Sequence, residues 1–404
     1  MLKQALNGIK VLDLTHYIAG PFCTKLLADY GADIIKVEKP GSGDIARNAG
    51  PFPRDIPDQE KSGLFLYLNT NKKGVTLNLK TRTGMKIFHQ LLEQSDILVE
   101  SFRPGVMSSF GLDYKKLKKI KPQLVMCSIS NYGQTGPYRD WKGNDLILYA
   151  LSGQMSRNGD PEREPLKHTL NIFQYFAGKT AALVILASAL RNLMTAPEGE
   201  YIDVSILETI QGDVITMLGS YNYSKMLQER KIAKNFPIFP HGGFPAKDGY
   251  VALHSRGGGE RWTPRLFEMI DRPDLKTNPQ FADPKNRLKN TEEFKALIYS
   301  WLSTHNKREI FDKAAAVRYP VGPVYTTAEL LSDPHYKKRG FFIDVDHPAA
   351  GKLTYPGAPF IMSEGGFAVR MPAPLLGQHN QEIYSGLLGY SDQELAVLRN
   401  QDII

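Results

Sequence analysis

The feature that most constrains this chain is an alternation, over its first half, of short apolar runs with longer amphipathic stretches. Ile9 to Leu14 (IKVLDL) has the length and composition of a buried strand. The stretch PFCTKLLADYGA then has helical spacing, with Pro21 suited to a first turn and Gly31 to an end. Ile34 to Glu38 is the next strand. The unit repeats through GVTLNLK, a helix over MKIFHQLLEQ, the strand DILVESF, a helix near LDYKKLKKI and the strand LVMCSIS. Strands and helices alternating at this spacing need right-handed crossovers and build a parallel sheet covered on both faces. The expected class is α/β, with a Rossmann-like layer over the first half.

Gly178 to Met194 follows as a helix apolar on nearly every side, which predicts deep burial. YIDVSILETIQGDVITML starts a further strand and helix. Beyond Ser224 a polar stretch carries Pro237, Pro240, Gly242, Gly243 and Pro245, the composition of a crossing linker. A smaller domain is expected after it, to about Leu330. Its elements are the strand YVALHS, the run Gly257–Gly258–Gly259, and helices at RWTPRLFEMI, TEEFKALIYSWLST and KREIFDKAAA. A strand-rich tail and a last helix (SDQELAVLRN) close the chain.

Composition removes several classes. With 42% hydrophobic and 23% charged residues, the chain is too apolar and too even in charge for a disordered protein. No run of about 20 apolar residues is present, which argues against a membrane span; the best candidate, Thr180 to Leu190, closes with Arg191. Two cysteines, Cys23 and Cys127, cannot build a disulfide scaffold or a thiolate metal cluster. They suit a reducing cytoplasm, the expected location. The net charge of +8 is a moderate excess, compatible with an anionic ligand, with nucleic acid or with nothing in particular. The cluster Lys115, Lys116, Lys118, Lys119 and Lys121 lies on a stretch with helical spacing and is expected to be a solvated helix face rather than a nucleic-acid site.

Generic motifs say less. After the first strand comes THYIAGP, not a glycine fingerprint for dinucleotides or a P-loop, which argues against a dehydrogenase or an NTPase. No GxSxG elbow, HExxH motif or metal-spaced cluster is present, so no metal is expected. His16 follows a strand end where α/β folds bind ligands, and is either a site residue or a hydrogen-bonded structural histidine. Arg103, before Pro104–Gly105, either meets a phosphate or forms a surface ion pair. The Gly257–Gly259 run is either a lid or anion-binding turn, or a plain flexible loop. From residues alone, the chain is an enzyme-like α/β protein with an anionic ligand.

Several segments together resemble the class III CoA-transferases, the family of formyl-CoA transferase and carnitine CoA-transferase. GIKVLDLTHYIAGPFCTKLLADYGADIIKVEKPGSGDIAR resembles the family's opening signature. LNTNKKGVTLNLK, ESFRPGVM with GLDY, and SISNYGQTGPY match its next blocks in order. HGGFPAKDGYVALH, RYPVGPVYT, DPHYKKRGFF and APLLGQHNQEIYSGLLGYS match later ones. The resemblance implies a large Rossmann-like domain built from both chain ends, a smaller inserted α+β domain, and a dimer interlocked like linked rings. On this chain that places residues 1–224 as the first part of the large domain, 225–330 as linker and small domain, and 331–404 as the return.

The implied chemistry moves CoA from an acyl-CoA to a carboxylic acid, with no permanently bound cofactor. One aspartate attacks the thioester carbonyl to give a mixed anhydride. The released thiolate returns to form an aspartyl-CoA thioester, and the acceptor acid then claims the CoA. Such a step needs an ionised carboxylate, which is both nucleophile and acyl carrier. In the family this aspartate precedes the opening glycine of the long apolar helix in a pattern like D-x-x-(S/A)-G. Here the segment is NIFQYFAGKTAAL, and Gln174 holds the place; no Asp or Glu occurs between Glu164 and Glu198. Positions that still match the family's CoA-binding pattern are His16, Ala19, Lys39, Asn69, Lys72, Phe102, Arg103 and Lys142. Two others have departed: Ser101 stands for an Asn, and Ser109 for a basic residue whose loss removes a charge-assisted bond to phosphate. Against the related α-methylacyl-CoA racemases, Asn144 and Gln174 replace both general acid/base groups.

The expected role is thus a non-catalytic subunit paired with a homologous subunit that carries the Asp, as an interlocked heterodimer or heterotetramer. The chain resembles the nucleophile-lacking subunit of an enzyme of the type of succinyl-CoA:(R)-benzylsuccinate CoA-transferase, of anaerobic toluene degradation. That implies succinyl-CoA as donor and (R)-2-benzylsuccinate as acceptor. The alternatives are a stand-alone acyl-CoA or carboxylate-binding protein, and an autonomous transferase using another carboxylate, with Asp145 or Glu208 nearest in sequence.

Overall fold

The computed structural model describes residues 4–195, 197–211, 215–227, 229–230, 240–254 and 261–404; Pro237 and the Gly257–Gly259 run lie outside these residues. The chain divides into two compact units. The larger comprises residues 1–158, 165–228 and 340–404, and the smaller 159–164 and 229–339.

The larger unit is built on a parallel six-stranded sheet, as its alternating pattern requires. Its strands are β1 (Lys10–Leu14), β2 (Asp33–Glu38), β3 (Lys72–Thr76), β4 (Ile97–Glu100), β5 (Val125–Ser130) and β6 (Glu200–Ser205), in the order β3-β2-β1-β4-β5-β6. Val11 of β1 pairs with Ile34 of β2 on one side and Ile97 of β4 on the other. The connection reverses direction between β1 and β4, and the loops that follow these strands diverge to leave a crevice at that end.

Helices cover both faces. They are α1 (Ala19–Asp29), α2 (Gly63–Leu68), α3 (Arg82–Glu93), α4 (Val106–Ser109), α5 (Tyr114–Ile120), α6 (Asp145–Leu151), α7 (Ile172–Met194), α8 (Ile206–Thr209) and α9 (Ile215–Ser224). On one face Val99 and Cys127 pack with Cys23 of α1 and Ala177, Ala181 and Ile185 of α7. On the other, Leu12, Leu98 and Met126 pack with Ile87, Phe88 and Leu91 of α3. The lysine-rich stretch is α5, which buries Leu117 and leaves its lysines outward, as the spacing predicts.

The long apolar helix differs from expectation twice. It begins at Ile172, not Gly178, so Gln174 lies inside its first turn. It is not deeply buried on every side: Leu183, Leu193 and Met194 are 67%, 81% and 76% exposed. By length and composition alone it would pass for a membrane span. Its inner face packs on α1 and on the sheet, whereas its outer face has no cover among the described residues.

The smaller unit carries an antiparallel sheet of β7 (Gly242–Ala246), β8 (Gly249–Leu253) and β9 (Val321–Pro323). Gly242, Gly243 and Pro245, which compositionally suggest linker, therefore belong to a strand. Helices α10 (Trp262–Met269), α11 (Pro284–Lys289), α12 (Thr291–Thr304), α13 (Lys307–Ala316), α14 (Thr327–Ser332) and α15 (Pro334–Arg339) complete it. Phe244, Val251, Phe267, Ile298 and Leu302 are among its core. This unit runs to Arg339 rather than 330; the Tyr325 hydroxyl donates to Asp333 Oδ2 at 2.7 Å and holds the chain beyond α14 to it.

The chain then returns to the larger unit with a hairpin, β10 (Phe342–His347) and β11 (Gly351–Pro356), and ends in α16 (Asp392–Asn400). Val345 and Tyr355 of the hairpin pack on Phe65 and Leu66 of α2. The returning segment also closes the free edge of the sheet. The N–H groups of Gly74 and Thr76 on β3 donate to His379 Nδ1 at 3.0 Å and Asn380 Oδ1 at 2.9 Å. An edge strand satisfied in this way is not available for pairing with another chain.

Candidate active site

Two glycines set the geometry of the crevice. At Gly20 a Cβ would lie 2.3 Å from Thr15 Cβ, so only glycine lets α1 start directly against the end of β1. At Gly178 a Cβ would lie 2.6 Å from the Ala19 carbonyl oxygen, so only glycine lets α7 press onto the start of α1. That contact fixes where Gln174, one turn earlier on α7, is presented. Asn171, just before α7, donates from Nδ2 to the Tyr17 hydroxyl at 3.0 Å and ties the helix start to the β1–α1 loop.

Behind this loop lies a buried ionic network. Asp13, fully buried, accepts from Thr15 Oγ1 at 2.5 Å, Thr24 Oγ1 at 2.6 Å and Lys72 Nζ at 3.1 Å. Lys36 Nζ donates to Asp44 at 2.8 Å and to the Thr15 carbonyl at 2.9 Å. Arg47 grips Glu38 with two bonds of 2.7 and 2.8 Å, and reaches Glu60 at 2.8 Å. Burial opposes the charge on Asp13, but Lys72 and Lys36 outweigh it and hold the carboxyl well below the usual range. Burial draws Lys72 down to about 8 against the pull of Asp13. Buried charges this completely paired make a rigid base for the loop.

In front lies a cavity of about 830 Å³ at the ends of β1 and β4, lined by His16, Ala19, Phe102, Arg103, Lys142 and Gln174. Five of the eight CoA-binding positions expected from the sequence thus meet on one cavity, together with Gln174. The other three do not. Lys39 is exposed and off its wall. Asn69 and Lys72 lie within the network instead: Asn69 Oδ1 accepts from Lys72 Nζ at 2.9 Å, and both are fully buried. Lys72 cannot reach a ligand while Asp13, Thr24 and the Pro21 carbonyl hold it.

His16 stacks at 5.3 Å against Phe102. Burial and the nearby Lys36 lower its pKa, so it is neutral at pH 7. The two substituted positions hold structure. Ser101 Oγ accepts the His16 N–H at 2.8 Å, linking the loops after β1 and β4, and Ser109 Oγ donates to the Val106 carbonyl at 2.7 Å. Asn144 caps α6 through the Ile147 N–H at 3.2 Å.

The position expected to carry the nucleophile presents no carboxylate to the cavity. Gln174 is 8% exposed and offers a neutral amide. Cys23 and Cys127 are fully buried, and burial pushes both thiols up, so neither is a thiolate. Of the alternative carboxylates, Glu208 is exposed and off the wall, while Asp145 is on it. Asp145 is 6% exposed, pairs with Lys167 at 3.0 Å through Oδ2, and leaves Oδ1 without a partner. His16 Nδ1, Ser130 Oγ and Arg139 Nε on the same wall are also buried and unsatisfied. Unpaired buried polar atoms converging on a cavity are what a ligand would satisfy. Among the described residues no group of His, Cys, Asp and Glu is placed to hold a metal ion.

The sequence reading missed Ser130, Arg139 and Trp141 on this cavity. The alternation of aromatic and basic residues in YRDWK was the signal available for the last two.

Comparison with known proteins agrees with the site. The model of CoA-transferase family III matches residues 6–380. The chain is 33% identical to a succinyl-CoA–D-citramalate CoA-transferase of Chloroflexus aurantiacus, over 99% of this chain and 98% of that one. It is 32% identical to the beta subunit of a succinyl-CoA–L-malate CoA-transferase of the same organism, over 99% and 98%. Among solved structures, a CAIB/BAIF family protein from Brucella suis superposes with a TM-score of 0.84 at 27% identity, covering 95% of this chain and all of that one.

Proposed function

The chain belongs to CoA-transferase family III, and from that premise we propose that it is the subunit of a heteromeric CoA-transferase that lacks the covalent nucleophile. The observation that carries this reading is Gln174. It occupies the first turn of α7, on the cavity wall, where the family's chemistry needs a carboxylate. An amide is a poor nucleophile and cannot form the acyl anhydride. The scaffold around it is otherwise kept, so the cavity can hold a thioester without attacking it.

Two further observations support a partner. The outer face of α7 exposes Leu183, Leu193 and Met194, and Tyr223, Met226 and Leu227 at and after the end of α9 are exposed as well, large apolar side chains that a partner would shield from water. A homologous subunit carrying the aspartate, interlocked with this one as a heterodimer or heterotetramer, would cover them. Relatives of this chain also include alpha and beta subunits of one transferase. For substrates we take succinyl-CoA as donor, in keeping with relatives named for it. The acceptor is (R)-2-benzylsuccinate, on the family resemblance read from the sequence.

A second reading is favoured by one observation: Asp145 has a free, buried oxygen on the same cavity and could serve as an alternative nucleophile. One experiment separates the two. The chain is incubated with succinyl-CoA, alone and with an Asp-bearing homologue. Bound thioester is trapped with hydroxylamine and the modified residue located by mass spectrometry. The subunit reading expects label on the partner only; label at Asp145, or turnover by this chain alone, overturns it. Substrate choice is tested separately by supplying (R)-2-benzylsuccinate and other dicarboxylic acids to the assembly.

A further inference from the structure

A second cavity lies on the other flank of α7. The helix α6 ends at Leu151, and Gly153, with a φ of +79°, turns the chain back in a conformation that glycine adopts without strain. The 3-10 turn Gln154–Arg157 that follows supplies one wall. Asn158 pairs with Leu166 through two hydrogen bonds: its Nδ2 donates to the Leu166 carbonyl at 2.8 Å, and the Leu166 N–H donates to the Asn158 carbonyl at 3.0 Å. Lys167 holds the next residue in place, donating to the His168 carbonyl at 2.9 Å while it pairs with Asp145 at 3.0 Å. His168 is thereby fixed on the same cavity.

The space is about 400 Å³, within the range of small-molecule sites. Its floor is an aromatic row: His168 lies 4.9 Å from Tyr149 and Tyr149 lies 5.0 Å from Phe173, with Tyr149 and Phe173 buried. Ile172 and Phe176 continue the apolar side. No carboxylate is among the lining residues. Gln154, Arg157 and His168 line the cavity and make no ion pair or side-chain hydrogen bond among the described residues. A guanidinium and two further donors around an apolar floor, with no acid to repel an anion, match one chemistry. A carboxylate pairs with the cation and the donors, and the body attached to it leaves water against the rings. The two cavities stand back to back across the first turn of α7, with Gln174 on one and Ile172, Phe173 and Phe176 on the other.

We infer that this second cavity is a binding site, separate from the crevice at Gln174, for a small carboxylic acid with an apolar body. Arg157 takes the carboxylate, Gln154 and His168 direct it, and the Tyr149–Phe173 floor takes the body. Occupancy needs neither CoA nor a partner subunit.

Titration calorimetry on the full-length chain with hexanoate and 3-phenylpropanoate tests it, with acetate and the two matching neutral amides as controls. Both acids are expected to bind, and their amides about tenfold or more weaker. Acetate, which has no body to bury, should also be at least about tenfold weaker. Arg157→Ala should weaken both acids about tenfold, with Arg157→Lys recovering part of the loss. Ile172→Glu adds a like charge to the wall at a helix start that suits an acid, and should weaken them about tenfold or more. Arg157 and Ile172 are both exposed, and unchanged thermal unfolding verifies that the variants fold. Three results overturn the inference: neither acid binds the parent chain, the amides bind as well as the acids, or binding is lost in Arg103→Ala instead of Arg157→Ala, which would place the acid in the larger cavity. The subunit reading is judged by where the hydroxylamine label falls, so either can fail while the other stands.

Discussion

The two sides of the crevice treat polar groups in opposite ways. Behind the β1–α1 loop, Asp13, Lys36, Asp44, Arg47 and Lys72 are all buried, and each is paired with an opposite charge and further hydrogen bonds. Across the cavity, Ser130 and Asp145 are buried and the Nε of half-buried Arg139 is covered, yet these groups keep atoms with no hydrogen-bond partner. Leaving such atoms unmade is costly, and a fold retains few of them without cause. The difference teaches which side is scaffold and which is surface meant for something else. It also explains how a chain can keep the family's shape with a neutral amide on the cavity wall at Gln174. The scaffold side is self-sufficient, so a substitution at Gln174 leaves it untouched.

The strongest way to break this contrast is to remove one charge from the scaffold side. Arg47→Leu would strand Glu38 and release Glu60, and is expected to cost about 3–5 kcal/mol in urea unfolding at fixed protein concentration. Next comes a buried carboxyl with only neutral hydrogen-bond partners. Glu100, at the end of β4, accepts the Phe102 N–H at 2.8 Å, and burial raises its pKa to about 7. Its folded pKa exceeds the unfolded value near 4.5, so stability is greatest below that value and falls as the pH rises toward 7. Glu100→Gln should flatten this loss, worth up to about 3 kcal/mol, and make the variant the more stable protein at pH 8. Thermal unfolding of both proteins from pH 5 to 8 checks it; parallel curves would count against the assignment.

Smaller effects sharpen the comparison. Thr24→Val takes a hydroxyl from Asp13 and Lys72, and should cost about 1–3 kcal/mol. Ser130→Ala takes a buried hydroxyl that bonds to nothing, and should leave stability unchanged or raise it by up to about 1 kcal/mol. Equal losses in these two variants would show that the sides do not differ as described.

The alternation of strand and helix made the parallel sheet legible, since periodicity reports directly which residues must be buried. Strand order was not legible, because parallel strands far apart in sequence pair through backbone groups that every residue carries. The site was legible in part. His16, Phe102 and Arg103 follow strand ends, where the fold itself places ligands. The setting of Lys72 was not legible, because its chain position says nothing of Asp13, the buried acid that holds it across three strands. The helix α7 was misjudged for another reason. An apolar sequence shows that water must be excluded, but not whether the covering surface belongs to the same polypeptide.

That uncovered flank sets a rule for the life of the protein. On the subunit reading proposed above, a molecule with this much grease on one side is safe only while it is engaged, so its synthesis must be matched in amount and timing to the partner that shields it. Surplus copies would clump or be degraded, and expression of this gene product by itself should give poor soluble yield that co-expression repairs.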